Sequence, residues 1–125
     1  MRLNEATFGG AAAVEGYGPG FFRAGGAVWQ GAILIRPEGV QPWGGLGDAA
    51  PLLALAGQVD VLFLGTGTEI AHPPRALREV LEAAGLGLEP MSSPAAARTY
   101  NVLLADGRRI AAALLPVGAA GPDGA

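Results

Sequence analysis

The 125-residue chain has no cysteine, no lysine and a single histidine, and only 15% of its residues are charged. Without cysteine it cannot form a disulfide, use a thiolate nucleophile or bind a metal through sulfur. A histidine can act as a general base, but no partner for His72 is evident, and an exposed loop position is the simpler interpretation. The acidic pairs show no metal-ligand spacing. We therefore predict no catalytic set, no metal site and no cofactor.

Charge and hydropathy exclude two further classes of partner. The net charge is −3 and the sequence pI is about 5.0, so the chain lacks the clustered basic face that binds nucleic acid. No apolar run reaches the roughly 18 residues of a membrane-spanning helix. The first residues also lack the apolar core of a secretory signal. We expect a soluble, intracellular protein.

Residues 59–67, Val-Asp-Val-Leu-Phe-Leu-Gly-Thr-Gly, are the clearest fold signal. Their unbroken apolar run predicts an interior strand covered on both faces, as in a parallel sheet. Two glycines then allow a sharp turn at the carboxyl end of the strand, the edge where open α/β sheets bind ligands. Helical periodicity follows at once, with Leu77, Val80, Leu81 and Ala84 on one stripe.

The remaining elements complete the predicted fold. Glycine and proline turns separate short strands before residue 30, and a second apolar run at 31–36 predicts a central strand. After residue 59, strands alternate with helices, which implies βαβ crossovers. We predict an α/β (α+β) fold of three layers, with a mixed central sheet, N-terminal antiparallel hairpins and a C-terminal Rossmann-like βαβαβ half. One domain should span residues 1–117, with residues 118–125 as a disordered tail.

The first candidate site is the turn Gly65-Thr66-Gly67. Its backbone N–H groups and hydroxyl could form a nest for an anionic or polar ligand. Ile70 breaks the GxGxxG spacing of dinucleotide-binding loops, and no P-loop lysine follows. The alternative is a tight turn at a strand end, where a side chain would clash.

The second candidate is Arg98-Thr99-Tyr100-Asn101, a polar group within an Ala/Leu-rich helix. Arg98 and Asn101 are three residues apart and share a helix face, so they could converge on one anionic group, with Arg98 as a bidentate clamp. In the alternative, Arg98 pairs with a carboxylate such as Glu69, and Asn101 caps neighbouring backbone.

These residues resemble a family of small proteins that carry a domain of unknown function. The strand ending Leu-Gly-Thr-Gly at 64–67 and the Pro-Arg-Ala-Leu at 74–77 are similar to it. More specific are Met-Ser-Ser-Pro-Ala-Ala-Ala-Arg-Thr-Tyr-Asn-Val-Leu-Leu at 91–104 and Asp-Gly-Arg-Arg at 106–109. The likeness covers residues 1–117. Ser93 stands where the family usually has threonine, and Ala97 where cysteine is frequent.

The resemblance implies a three-layer fold with no established catalytic residues and no known cofactor. Eukaryotic members of the family include the mitochondrial complex I assembly factor 3, which assists assembly of the respiratory NADH dehydrogenase. The resemblance also implies that this chain binds protein partners, including partners at a membrane surface. The absence of an Arg-rich transit segment favours a bacterial, cytoplasmic member.

Three functional hypotheses follow. The first is a non-enzymatic interaction module, with assembly of membrane-associated respiratory complexes as its role. The second is a small anionic-ligand-binding protein or enzyme that uses the turn at 65–67 with Arg98 and Asn101. The third is an oligomeric scaffold with an apolar interface around Phe21, Trp29 and Trp43.

Overall fold

The computed structural model describes residues 10–118. Eight strands and three helices follow one another along this part of the chain. In order they are β1 Val14–Gly18, β2 Phe21–Ala24, β3 Ala27–Gln30, β4 Ile33–Arg36, β5 Gly39–Pro42, α1 Ala50–Leu53, β6 Val61–Gly65, α2 Arg75–Ala83, β7 Gly87–Met91, α3 Ser93–Ala105 and β8 Ile110–Leu114.

A five-stranded mixed sheet in the order β5-β4-β8-β6-β7 is the centre of the fold. Strands β6, β7 and β8 are parallel, and the helices between them form the crossovers, which confirms the predicted Rossmann-like half. Strand β4 is antiparallel to both β5 and β8. The run at 59–67 therefore supplies an interior strand, since β6 has a hydrogen-bonded neighbour on each side.

Two hydrophobic cores lie on the two faces of this sheet, which gives the predicted three layers. Successive side chains of a strand point to opposite faces, and the central strand β8 shows this most clearly. Ile110, Ala112 and Leu114 belong to the core beneath α3 and β2. Ala111 and Ala113 belong to the core beneath α1 and α2. All five residues of β8 are buried.

The N-terminal strands form the predicted antiparallel hairpins. Strands β1, β2 and β3 form an antiparallel sheet of their own, in that order, rather than extending the central sheet. Phe22 is fully buried in the α3-side core, so this small sheet shares the layer that contains α3. The antiparallel part of the central sheet comes instead from the β4–β5 hairpin.

Helix α1 begins after Ala49, and the Asp48 carboxylate before it accepts a hydrogen bond from the Gly44 N–H at 3.1 Å. On α2 the predicted stripe is half right. Leu77 and Leu81 are buried, whereas Val80 is exposed.

Ser92 caps α3, accepting a hydrogen bond from the Ala95 N–H at 3.3 Å. The first residues of the predicted lead-in, 1–9, lie outside the described residues. So does the predicted tail, apart from Gly118. The domain bounds of 1–117 stay a prediction.

Candidate functional site

The turn at the end of β6 is packed against the start of α3. A Cβ placed on Gly65 would lie 2.7 Å from the Ser93 Oγ, 2.8 Å from the Ser93 Cα and 2.8 Å from the Leu114 Cδ2. Contacts this short are incompatible with any side chain. Gly65 therefore allows β6, β8 and α3 to approach one another closely.

Ser93 fills the space inside this turn, and it is completely buried. Its N–H donates to the Gly67 carbonyl at 2.7 Å, and the Gly67 N–H donates back to its Oγ at 2.9 Å. The hydroxyl donates in turn to the Leu115 carbonyl at 2.6 Å. Gly67 has a φ of 102°, a conformation that glycine adopts without strain. One serine thus ties the ends of β6 and β8 to the first turn of α3.

Thr66 is also satisfied within the protein. Its N–H donates to the Met91 carbonyl at 2.8 Å. Its hydroxyl lies 2.8 Å from the Glu69 carbonyl and 3.0 Å from the Met91 carbonyl, and it accepts a hydrogen bond from the Ala71 N–H at 2.9 Å. The N–H groups of Thr66 and Gly67, which the sequence suggests as an anion nest, therefore point to partners inside the fold.

Asn101 is bound to the backbone of one residue at the other end of the chain. Its Oδ1 accepts a hydrogen bond from the Val14 N–H at 3.0 Å, and its Nδ2 donates to the Val14 carbonyl at 2.8 Å. Val14 lies on the edge strand β1, where the register with β2 shifts before Gly16. The amide group thus takes the place of a neighbouring strand at this irregular edge.

Tyr100, beside Asn101 on α3, makes a second link to the same segment. Its hydroxyl donates to the Ala12 carbonyl at 2.8 Å, and the side chain is fully buried. Burial, and secondly the charge of Glu38, raises the pKa of the Tyr100 phenol well above its usual range. The residue stays neutral and fastens the N-terminal segment to α3.

Arg98 is the exposed member of the predicted helix site. Within residues 10–118 its side chain makes no hydrogen bond to the turn at 65–67, and the ion pairs of this part of the chain do not include one with Glu69. The structure therefore brings the turn together with Ser93, places Asn101 against β1 and leaves Arg98 at the surface.

The sequence signals for Ser93 and Tyr100 were partly visible. Ser92-Ser93-Pro94 marks a helix start, but a cap motif does not say that the second serine reaches the end of another strand. His72 is exposed. In the described part of the chain, no group of three or more His, Asp or Glu side chains is placed to hold a metal ion. None of the helices described there is long and apolar enough to cross a membrane.

Fold and site together define a class: a small three-layer α/β protein in which a serine at the start of α3 closes the turn at the end of β6. The chain belongs to the family described as protein of unknown function DUF498/DUF598, whose family model matches residues 14–115. This confirms the family that the motifs at 91–104 and 106–109 resemble.

Two relatives show the range of the family. An uncharacterized protein of Rhodobacter capsulatus is 55% identical over 122 residues, covering 98% of each chain. The NADH dehydrogenase [ubiquinone] 1 alpha subcomplex assembly factor 3 of Danio rerio is 29% identical over 110 residues, which is 82% of this chain and 63% of the fish protein.

Solved structures share the fold. One is described as an outer membrane protein from Bartonella henselae. It is 36% identical with a TM-score of 0.77, and the match covers 88% of this chain and 98% of that one. A Bordetella pertussis protein described as an Mth938-like domain is 31% identical with a TM-score of 0.70, covering 86% and 87% of the two chains.

Proposed function

We propose that this protein is a non-enzymatic interaction module that assists the assembly of membrane-associated respiratory complexes. In this proposal it acts from the bacterial cytoplasm and binds protein partners at the membrane surface. The observation that carries the proposal is the similarity to the fish assembly factor, which extends over 110 aligned residues.

The geometry of the strand-end turn also supports this proposal. Thr66, Gly67 and Ser93 use their polar groups to join β6, α3 and β8. Asn101 and Tyr100 use theirs to hold residues 12–14. These side chains build the fold, which leaves the outer surface to make contacts with partners.

The experiment uses the relative in Rhodobacter capsulatus. Its gene would be deleted, and the amount of assembled respiratory NADH dehydrogenase would be measured by native gel electrophoresis and by NADH oxidation in isolated membranes. We expect less of the full complex and an accumulation of subassemblies. Expression of the present chain should restore assembly, because the two chains are 55% identical over nearly their whole length.

A deletion strain with a normal amount of fully assembled complex would refute the proposal. The control is the same chain carrying Gly65→Ala, a substitution that clashes with Ser93 and Leu114. It should be less stable and should restore assembly less well than the unchanged chain.

A further inference from the structure

Arg36 lies at the centre of a groove on the side of the molecule away from the glycine turn of β6. Three hollows of about 260, 170 and 190 Å³ are each lined by Arg36. The first extends to Arg108 and Arg109, in the connection before β8. The second runs between β4 and α1 as far as Pro51. We call these three hollows together the Arg36 groove.

The groove concentrates positive charge on an acidic protein. Three of the eight basic residues of the chain line it, whereas the net charge of the chain is −3. Glu38 is the acidic side chain in its lining. Arginine presents a planar fork of donors that matches a carboxylate, so the lining is suited to an anionic ligand.

The arginines of the groove can exchange their present partners. The Arg36 Nη1 donates to the Gln58 Oε1 at 3.1 Å, and its Nε lies 3.8 Å from the Glu38 carboxylate. The Arg109 Nη2 lies 2.9 Å from the Asp60 Oδ1, with both side chains 59% exposed. Exposed pairs of this kind stabilise a protein by only about 0–1 kcal/mol. Arg108 has no side-chain partner among residues 10–118.

The shape of the groove favours an extended chain over a compact ion. The hollow between β4 and α1 extends from Arg36 to Pro51, beyond the other two arginines, and Leu34 and Leu55 also line it. An extended peptide with a carboxylate at every second residue presents its carboxylates on one face, so two of them could pair with Arg36 and Arg108 at the same time.

We infer that the Arg36 groove binds an acidic, extended segment of a partner protein, with Arg36 and Arg108 pairing with its carboxylates. This inference rests on the proposed function, because it names the surface and the chemistry by which the module would hold a partner. Neither residue belongs to the turn at 65–67 or to the polar face of α3.

The direct test measures binding of a fluorescent peptide by anisotropy. The probe is a peptide of about twelve residues in which glutamate alternates with alanine, long enough for an extended chain to cross the groove. The comparison peptide has glutamine in place of each glutamate. We expect the acidic peptide to bind at low ionic strength, to bind more weakly as salt is added, and to bind better than the glutamine peptide.

Four variants make the test specific. Arg36→Gln and Arg108→Gln should each weaken binding roughly threefold to tenfold, as expected for partly exposed charge pairs across an interface. Glu38→Gln should strengthen it roughly twofold to threefold, since it removes a competing carboxylate. Arg75→Gln, on α2 and paired with Glu79 at 2.9 Å, has the same charge change outside the groove and should bind like the wild type. Thermal unfolding would verify that all four variants fold.

Equal affinity in the Arg36, Arg108 and Arg75 variants would overturn the inference. So would Arg36-dependent binding of inorganic phosphate, or of vesicles containing an anionic lipid, when the acidic peptide does not bind.

The same variants separate this inference from the proposed function. Suppose that the wild-type chain restores complex assembly in Rhodobacter capsulatus and that the double variant Arg36→Gln/Arg108→Gln restores it equally well. The inference about the groove is then wrong, and the proposed assembly role stands. If deletion leaves assembly intact while the peptide binds through Arg36, the assembly role is wrong and the groove stands.

Discussion

Replacing Asn101 with alanine removes both hydrogen bonds that hold Val14 to α3, at 3.0 and 2.8 Å. Each neutral hydrogen bond contributes about 0.5–1.5 kcal/mol net, so the pair accounts for about 2 kcal/mol. For a chain of this length, that loss should lower the melting temperature by about 8 °C. The measurement is thermal unfolding followed by circular dichroism, with urea unfolding as a second estimate of the free energy.

Two further variants give this prediction its control. Val102→Ala lies next to Asn101 on α3, but its side chain is 63% exposed, and it should change the melting temperature little. Asn101→Asp keeps an acceptor for the Val14 N–H but places a carboxylate oxygen against the Val14 carbonyl, so it should destabilise the protein at least as much as alanine does. If Asn101→Ala had the same melting temperature as Val102→Ala, the link to Val14 would not stabilise the fold.

The same assay addresses the hypothesis that the turn at 65–67, Arg98 and Asn101 bind a small anion, which stays a prediction. A ligand that binds only the folded state raises the melting temperature. The hypothesis predicts that inorganic phosphate stabilises the wild type and that Arg98→Gln abolishes this effect without changing the melting temperature in its absence. A phosphate effect that is the same in both proteins, or absent from both, would count against it.

Two more predictions concern the buried contacts of α3. Gly65→Ala should destabilise the protein by about 2–3 kcal/mol, because the new methyl group overlaps Ser93, whose Cα lies on backbone that cannot move aside. Tyr100→Phe should cost about 1–2 kcal/mol at neutral pH by leaving the Ala12 carbonyl without its donor. Because the pKa of the Tyr100 phenol is raised in the folded state, the wild type should lose stability as pH rises above about 10, the pKa of an unfolded tyrosine. The difference from Tyr100→Phe should therefore shrink with rising pH.

Each of these two substitutions has a matched control. Gly47→Ala is the control for Gly65, since a Cβ on Gly47 meets nothing within 4 Å, and equal melting temperatures for the two variants would contradict the packing argument. For the tyrosine, the wild type and Tyr100→Phe share every other titrating group. Parallel curves of unfolding free energy between pH 8 and about 11 would show that folding does not change the pKa of this phenol.

Several elements could be predicted from local sequence because burial leaves a local pattern. The apolar run before Gly65 identifies an interior strand, and the serine-proline start of α3 identifies its cap. Strands alternating with helices predict parallel crossovers, and β6, β7 and β8 have them. The motif in α3 was also sufficient to indicate the family.

The sequence by itself determined most of the strand and helix segments and part of what they bury, since periodicity and turn residues act over a few positions. Only the tertiary structure decided which distant residues contact one another. Asn101 holds a backbone group 87 residues away, Ser93 fills the turn 26 residues before it, and Arg36 shares a groove with Arg108. Such pairings depend on how the strands are ordered in the sheet, and separation along the chain leaves no periodic mark of them.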